Sequence, residues 1–218
     1  MTIYSIAIDG PSGAGKSTLA KALAEKLNID YLDTGAMYRA FAYFVIKEGF
    51  DIYDEKALME LLPKFSIDFS QGHILLNGEN IEEYIRTQEI AMAASIVSTF
   101  QMVREKMVDV QQRLAENKTI ILDGRDIGTV VLPHAKYKFY ITARPEIRAK
   151  RRLLQMNSPN IGYDEIYNQI LKRDNQDMTR KNSPLKKAKD AILIDTSDET
   201  PEDTLYRILE IIQRGFKS

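Results

Sequence analysis

The chain has 218 residues, 44% of them apolar, with 30 Lys and Arg against 31 Asp and Glu. That is long for one small domain and apolar enough to bury a sizeable core, so a core carrying an insertion is expected. The absence of Cys and the presence of only two His, His73 and His134, exclude disulfides, Cys-ligated zinc or iron–sulfur sites, Cys nucleophiles and any three-His metal centre.

The net charge of −1 gives no overall signal for nucleic acid or an acidic membrane, but the charge is unevenly placed. Residues 1–143 hold 15 Lys and Arg against 19 acids, residues 144–189 hold 12 against 5, and residues 190–218 hold 3 against 7. The basic middle block is either a solvated surface or one that closes over a polyanionic ligand. The opening MTIYSIAIDG lacks a basic region and reaches Asp9 too early for a signal peptide. No apolar run approaches the roughly 18 residues of a membrane helix. A cytoplasmic protein without a membrane partner is expected.

In chain order, the first element is a strand over Ile3–Ile8, followed by a helix whose Leu19, Leu23 and Leu27 recur on one face. A short strand over Asp30–Asp33 comes next. Phe65–Ile81 then breaks the pattern: Asn77-Gly78 is a two-residue hairpin signal, and Ser70-Gln71-Gly72 a second turn. Three short antiparallel strands with flanking helices, about residues 50–98, read as an inserted subdomain. Val103, Met107, Val110 and Leu114 line a helix face before a third core strand, Thr119–Asp123. Tyr137–Ile141 and Ala191–Asp195 are the last two strands. Thr200-Pro201-Glu202-Asp203 opens a final helix with a capping Thr, Pro at the first position and acids in the first turn. Strands alternating with helices imply an α/β fold with a parallel sheet flanked by helices.

The strongest motif is Gly10-Pro11-Ser12-Gly13-Ala14-Gly15-Lys16-Ser17-Thr18, between the first strand and the first helix. It fits the phosphate-binding P-loop pattern in its required setting, where glycines let successive N–H groups and a helix N-terminus face phosphate. Lys16 is expected to reach the β- and γ-phosphates and the Ser17 hydroxyl to ligate Mg²⁺. Asp123 and Asp33 each end a strand, so one or the other, directly or through water, is a candidate for the metal shell. Arg39 falls on an early helix turn and Arg125 follows the Asp123 strand. The spacing of Arg173, Asp177 and Arg180 places all three on one helical face. Together these are enough forked cations to clamp a second phosphate group and neutralise the one transferred.

The segments IDGPSGAGKST (8–18), LDTGAMYRA (32–40), ASIVSTFQMVRE (94–105), LDGRDIGTVVLP (122–133), RAKRRLLQ (148–155), RDNQDMTR (173–180) and DAILIDTS (190–197) run in order along nearly the whole chain. In them the sequence resembles the bacterial cytidylate (CMP) kinases of the nucleoside monophosphate kinase superfamily, with DTGAMYR and DGRDIGT the most specific. The resemblance implies a P-loop fold with a five-stranded parallel core (about 1–36, 99–147 and 167–218). It adds a monophosphate-binding subdomain (about 37–98) and a mobile lid over ATP (about 148–166). It implies phosphoryl transfer from ATP to CMP or dCMP, with Mg²⁺. Ser95, Arg104 and Asp126 match cytosine-recognising positions. Arg173 and Asp177 match ribose contacts, and Arg39, Arg125 and Arg180 phosphate-binding arginines. Arg148 and Arg152 fall in the lid, followed by the turn-like 157–160, and so belong with ATP. Thr34 stands where many members have Ser, which keeps the hydroxyl in the acceptor site. Lys16, Arg125, Arg173 and Arg180 are then the catalytic set, and a monomer without a nucleic-acid partner is expected.

Two other readings compete. A uridylate-preferring kinase is disfavoured because the N4 amino group of cytosine can donate to an acid such as Asp126, whereas uracil has a carbonyl there. A P-loop switch acting on a macromolecule is disfavoured because the arginines are spread over separate motifs and no aromatic–basic alternation occurs. His73 and His134 are expected to be structural or exposed.

Overall fold

The computed structural model describes residues 3–70, 73–156 and 162–215. In chain order the elements are β1 (Ser5–Asp9), α1 (Lys16–Leu27), β2 (Asp30–Asp33), α2 (Thr34–Lys47), α3 (Glu55–Leu61), β3 (Ile67–Ser70), β4 (His73–Leu76), β5 (Glu79–Asn80), α4 (Gln88–Val97) and α5 (Gln101–Ala115). They continue with β6 (Ile120–Gly124), β7 (Tyr137–Thr142), α6 (Pro145–Met156), α7 (Tyr163–Thr179), β8 (Ile192–Asp195) and α8 (Pro201–Gly215). The chain divides into two compact units, one of Met1–Leu32 with Asn117–Ser218 and the other of Asp33–Glu116.

The first unit carries a five-stranded sheet in the order β2-β6-β1-β7-β8. The expected strands are all there, each within two residues of the predicted ends. β1 pairs in parallel with both β6 and β7, and β7 with β8. Their apolar runs follow from burial on both faces: Ile6, Ile8, Ile121, Phe139, Ile141 and Ile194 form one core with Leu19 and Leu23 of α1 and Ile208 and Ile212 of α8. α8 starts as read: the Asp203 amide donates to Thr200 Oγ1 (3.1 Å) and Asp203 Oδ2 accepts from the Thr200 hydroxyl (2.7 Å). The register sets Asp9 against Gly124 and Ile8 against Asp123, so two acids reach the C-terminal edge of the sheet together. This is where open α/β sheets bind ligands.

The second unit pairs α2, α3, α4 and α5 with an antiparallel β3-β4-β5 sheet. Asn77 (φ 49°) and Gly78 (φ 86°) make the left-handed turn that their sequence calls for. Phe65 packs edge-on to Phe41 at 5.2 Å. The second predicted turn falls at Gln71 and Gly72, outside the described residues, as does 157–161 of the expected lid. On α5 the buried stripe is Val103, Arg104, Met107 and Gln111, not the purely apolar face expected. Val110 and Leu114 are only partly buried, because the stripe turns by the 3.6-residue period toward Arg104 and Gln111.

Candidate active site

Loop and helix chemistry place the first group of side chains. Gly13 (φ 73°) and Gly15 (φ 87°) adopt the left-handed backbone that lets the loop curl ahead of α1. A Cβ on Gly10 would lie 1.9 Å from the Ile141 carbonyl oxygen, so only glycine fits beside β7. α1 begins at Lys16, whose ammonium donates to the Pro11 carbonyl at 2.7 Å. Burial first, and the Arg125 guanidinium second, bring the Lys16 pKa down to about 7. An anion in the loop would act against this shift by stabilising the charged ammonium.

At the mouth of the loop, the Ser17 hydroxyl donates to Asp123 Oδ2 (2.9 Å), and the Tyr31 hydroxyl donates to Asp123 Oδ1 (2.9 Å). A hydroxyl and a carboxylate are hard oxygen donors. Among the described residues no group of three or more His, Cys, Asp or Glu could hold a metal. A pair of this kind fits Mg²⁺, which is bound through few protein oxygens and keeps waters and phosphate oxygens for the rest.

Beyond Asp123 lies an array of arginines and acids. Arg125 Nε donates to Asp177 Oδ2 at 2.8 Å. Arg180 Nη2 reaches Asp126 Oδ1 at 3.5 Å, and its Nη1 lies 3.8 Å from Asp177 Oδ1. Burial works against the Arg125 charge, but Asp177, then Asp123 and Asp174, hold its pKa above the ordinary guanidinium value. Burial likewise opposes ionised Asp177, and Arg125 and Arg173 outweigh it, so its pKa lies below the usual carboxylate value. Arg173 and Asp177 lie on α7, and Arg180 closes it: its amide still donates to the Gln176 carbonyl (3.0 Å) and its φ of −57° is helical, so its side chain leaves on the Asp177 side while the chain departs beyond it (ψ 142°).

Arg148 differs most from expectation. It is 4% exposed, and its Nη1 donates to Asp174 Oδ2 (2.6 Å) and the Ser12 carbonyl (2.9 Å), while Nε donates to the Ala143 carbonyl (2.8 Å). The Ser12 amide donates to Asp174 Oδ1 at 3.3 Å. The guanidinium thus clasps the backbone of the loop from behind. Arg152, one turn on, is partly exposed. His134 is exposed.

In the second unit Asp33 caps α2 by accepting from the Ala36 amide (2.9 Å) and holds Arg39 through Oδ2 (2.8 Å), with Arg86 Nη1 at 3.5 Å. Burial opposes its charge, and Arg39, the Ala36 amide and Arg86 more than offset this, leaving its pKa low. Asp33 is thus an anchor for Arg39 and Arg86. Arg39 Nε is buried with no hydrogen-bond partner among the described residues. Arg104 is buried, donates to the Ser98 carbonyl (3.3 Å) and sits over the Tyr38 ring. Thr34, at the start of α2, is buried, and Ser95 lies on α4.

Sequence reasoning missed four residues: Asp9, Tyr31, Arg86 and Asp174. Asp9 is 3% exposed and accepts from the Ile127 amide (2.8 Å) and the Gly128 amide (2.7 Å). Burial raises its pKa to about 6 against the pull of those two amides. A signal for it existed: Asp9 ends a strand at the same edge as Asp123. For Asp174 there was none, since its partner Arg148 is 26 positions away.

A parallel sheet with a phosphate-binding loop at its carboxyl edge, a hydroxyl–carboxylate pair and a bank of arginines defines a P-loop nucleotide-binding protein. Solved structures agree on the fold: the shikimate kinase from Acinetobacter baumannii matches with a TM-score of 0.51 at 19% identity, over 98% of this chain and 94% of that one. A cytidylate kinase family model matches residues 6–214. The "Cytidylate kinase" of Alkaliphilus oremlandii is 47% identical over 98% of this chain and 99% of its own length. That of Clostridium botulinum strain Langeland is 46% identical over 98% and 100%. The chain belongs to the cytidylate kinase family.

Proposed function

We propose that this protein transfers the γ-phosphoryl group of MgATP to the phosphate of CMP or dCMP, giving ADP and CDP or dCDP. The observation that carries the reading is the Ser17–Asp123 pair at 2.9 Å, set at the mouth of a phosphate loop in a chain of this family. Backbone amides from Gly13 to Thr18 would hold the β- and γ-phosphates, with Lys16 on the transferred group. Ser17 and Asp123 are the residues that would hold Mg²⁺, which would supply charge neutralisation for the transferred phosphoryl group.

The nucleophile is an oxygen of the acceptor phosphate, whose second pKa is about 6, so it is already dianionic at neutral pH. No side chain has to remove a proton, which agrees with a His-poor, Cys-free chain. Catalysis reduces to in-line placement and charge compensation by Lys16, Arg125, Arg173 and Arg180. Asp126 accepts from the cytosine amino group, Asp177 and Arg173 serve the ribose, and Arg125 and Arg180 the acceptor phosphate. In the second unit, Arg39 is proposed for acceptor phosphate, and Thr34, Ser95 and Arg104 for sugar and base, from the family resemblance. Arg152 is proposed for ATP, while Arg148 acts on ATP indirectly, through the loop it clasps.

The test is a coupled ADP-release assay with CMP, dCMP, UMP, AMP and GMP at fixed MgATP. The expected result is strong stimulation by CMP and dCMP, and a smaller ratio of CMP to UMP activity in Asp126→Asn. ATP hydrolysis indifferent to every monophosphate would defeat the kinase reading. Equal losses on CMP and UMP in the variant would remove Asp126 from base recognition.

A further inference from the structure

We propose that Asp9 is a positioning residue for the acceptor, acting through the turn that carries Arg125 and Asp126. This rests on the acceptor reading of those two residues given above.

Asp9 is the last residue of β1, directly before Gly10. Its two carboxylate oxygens receive two successive amides, Ile127 to Oδ1 at 2.8 Å and Gly128 to Oδ2 at 2.7 Å. These amides open a single turn of π-helix over Ile127–Val131, a rare geometry in which the leading N–H groups lack partners within the turn. Asp126 is the residue that caps this turn. Its own carbonyl accepts from Val130 (2.9 Å) and Val131 (3.2 Å), so the backbone of Asp126 is fixed on one side by the turn and on the other by what holds Ile127.

The far end of the turn is also pinned. Lys138, 8% exposed, donates to the Pro133 carbonyl at 2.6 Å and to Asp190 Oδ2 at 2.7 Å. Gly128 leaves little room here, since a Cβ would stand 3.3 Å from Asp9 Oδ2 and 3.2 Å from Lys138 Cδ. A buried carboxylate has a cost in desolvation, which the two backbone amides offset in part. What it secures is the placement of the Arg125-Asp126 segment relative to the strand that feeds the phosphate loop.

Asparagine at position 9 keeps the volume but can accept through only one atom, and its amide group would face a backbone N–H. In Asp9→Asn the KM for CMP is expected to rise by about tenfold or more, with the KM for ATP within about threefold of the parent. The kcat/KM preference for CMP over UMP should fall toward that of Asp126→Asn. Assays are run where circular dichroism reports both proteins folded, and Gly128→Ala serves as a second variant that crowds the same contact if Asp9→Asn does not fold. KM values for CMP and ATP that rise together, or that both stay at parent values, would overturn the proposal.

A readout independent of turnover is the side-chain carboxyl carbon resonance of Asp126 in the ligand-free protein. It should move in Asp9→Asn, and an unmoved resonance would overturn the positioning role. A parent protein that leaves CMP unphosphorylated would defeat the acceptor reading alone, and the Asp126 resonance would still decide whether Asp9 positions that residue.

Discussion

At the scale of single residues, the pair Ser17–Asp123 ties the phosphate loop to β6 through one 2.9 Å hydrogen bond, and Tyr31 occupies the other carboxylate oxygen. A carboxylate that accepts two O–H donors is held in one orientation, which is what a cation with strict octahedral demands requires. Asp123→Asn keeps the shape and removes the charge. The Mg²⁺ concentration for half-maximal rate is expected to rise by about 10–100-fold, with activity recovered in part at high Mg²⁺. The Tyr31→Phe change removes only an orienting donor and should give a smaller shift in the same direction. A Mg²⁺ titration of both variants checks the order. An Asp123→Asn curve that overlays the parent would take Asp123 out of the metal shell.

At the scale of elements, α6, α7 and the phosphate loop meet in the Arg148–Asp174–Ser12 cluster. Arg148 and Asp174 are 4% and 5% exposed, so removing either partner strands a charge away from water, a loss of about 3–5 kcal/mol. Removing both leaves no stranded charge. Arg148→Met and Asp174→Leu should each destabilise strongly, and the double variant should lose clearly less than the sum, as read by urea unfolding. Additive losses would show that the two side chains do not act as a pair. The same cluster marks where the sequence could be read and where it could not. Strands such as Ile120–Gly124 were legible because burial on both faces enforces a continuous apolar run, and the Asn77-Gly78 turn because left-handed backbone selects those residues. Arg148 was not: next to Arg152 it has the look of a solvent-facing pair at helical spacing, and only the tertiary fold brings Asp174 and the Ser12 carbonyl to it.

At the scale of the whole molecule, four arginines of the basic block of residues 144–189 find partners within their own unit. Arg144 pairs with Asp198 (2.6 Å), Arg148 with Asp174, and Arg180 with Asp126 and Asp177, while Arg151 donates to Thr196 Oγ1 at 2.9 Å. The buried acids of this unit should leave the imprint of their titration on its stability. Two of them pull in opposite directions. Asp9 titrates at about 6 in the folded state against an ordinary 3.8, with Asp126 and Lys16 the charged groups that act on it. Between about pH 4 and 6 the folded protein keeps a proton that the unfolded chain has released. The contribution of Asp9 to stability thus falls as pH rises through that window and is level above it. Asp177 lies below its ordinary value, so its contribution is present above that value and is lost as pH falls through the folded one. Thermal unfolding of the ligand-free protein from pH 3 to 8 separates them. The stability of Asp9→Asn relative to the parent should rise between pH 4 and 6, by about 3 kcal/mol for a shift of about two units. The deficit of Asp177→Asn should instead shrink below pH 4. An Asp9→Asn difference that stays flat from pH 4 to 6 would mean that the folded protein ionises Asp9 as readily as the unfolded chain does, and that the two amides of Ile127 and Gly128 fully compensate its burial.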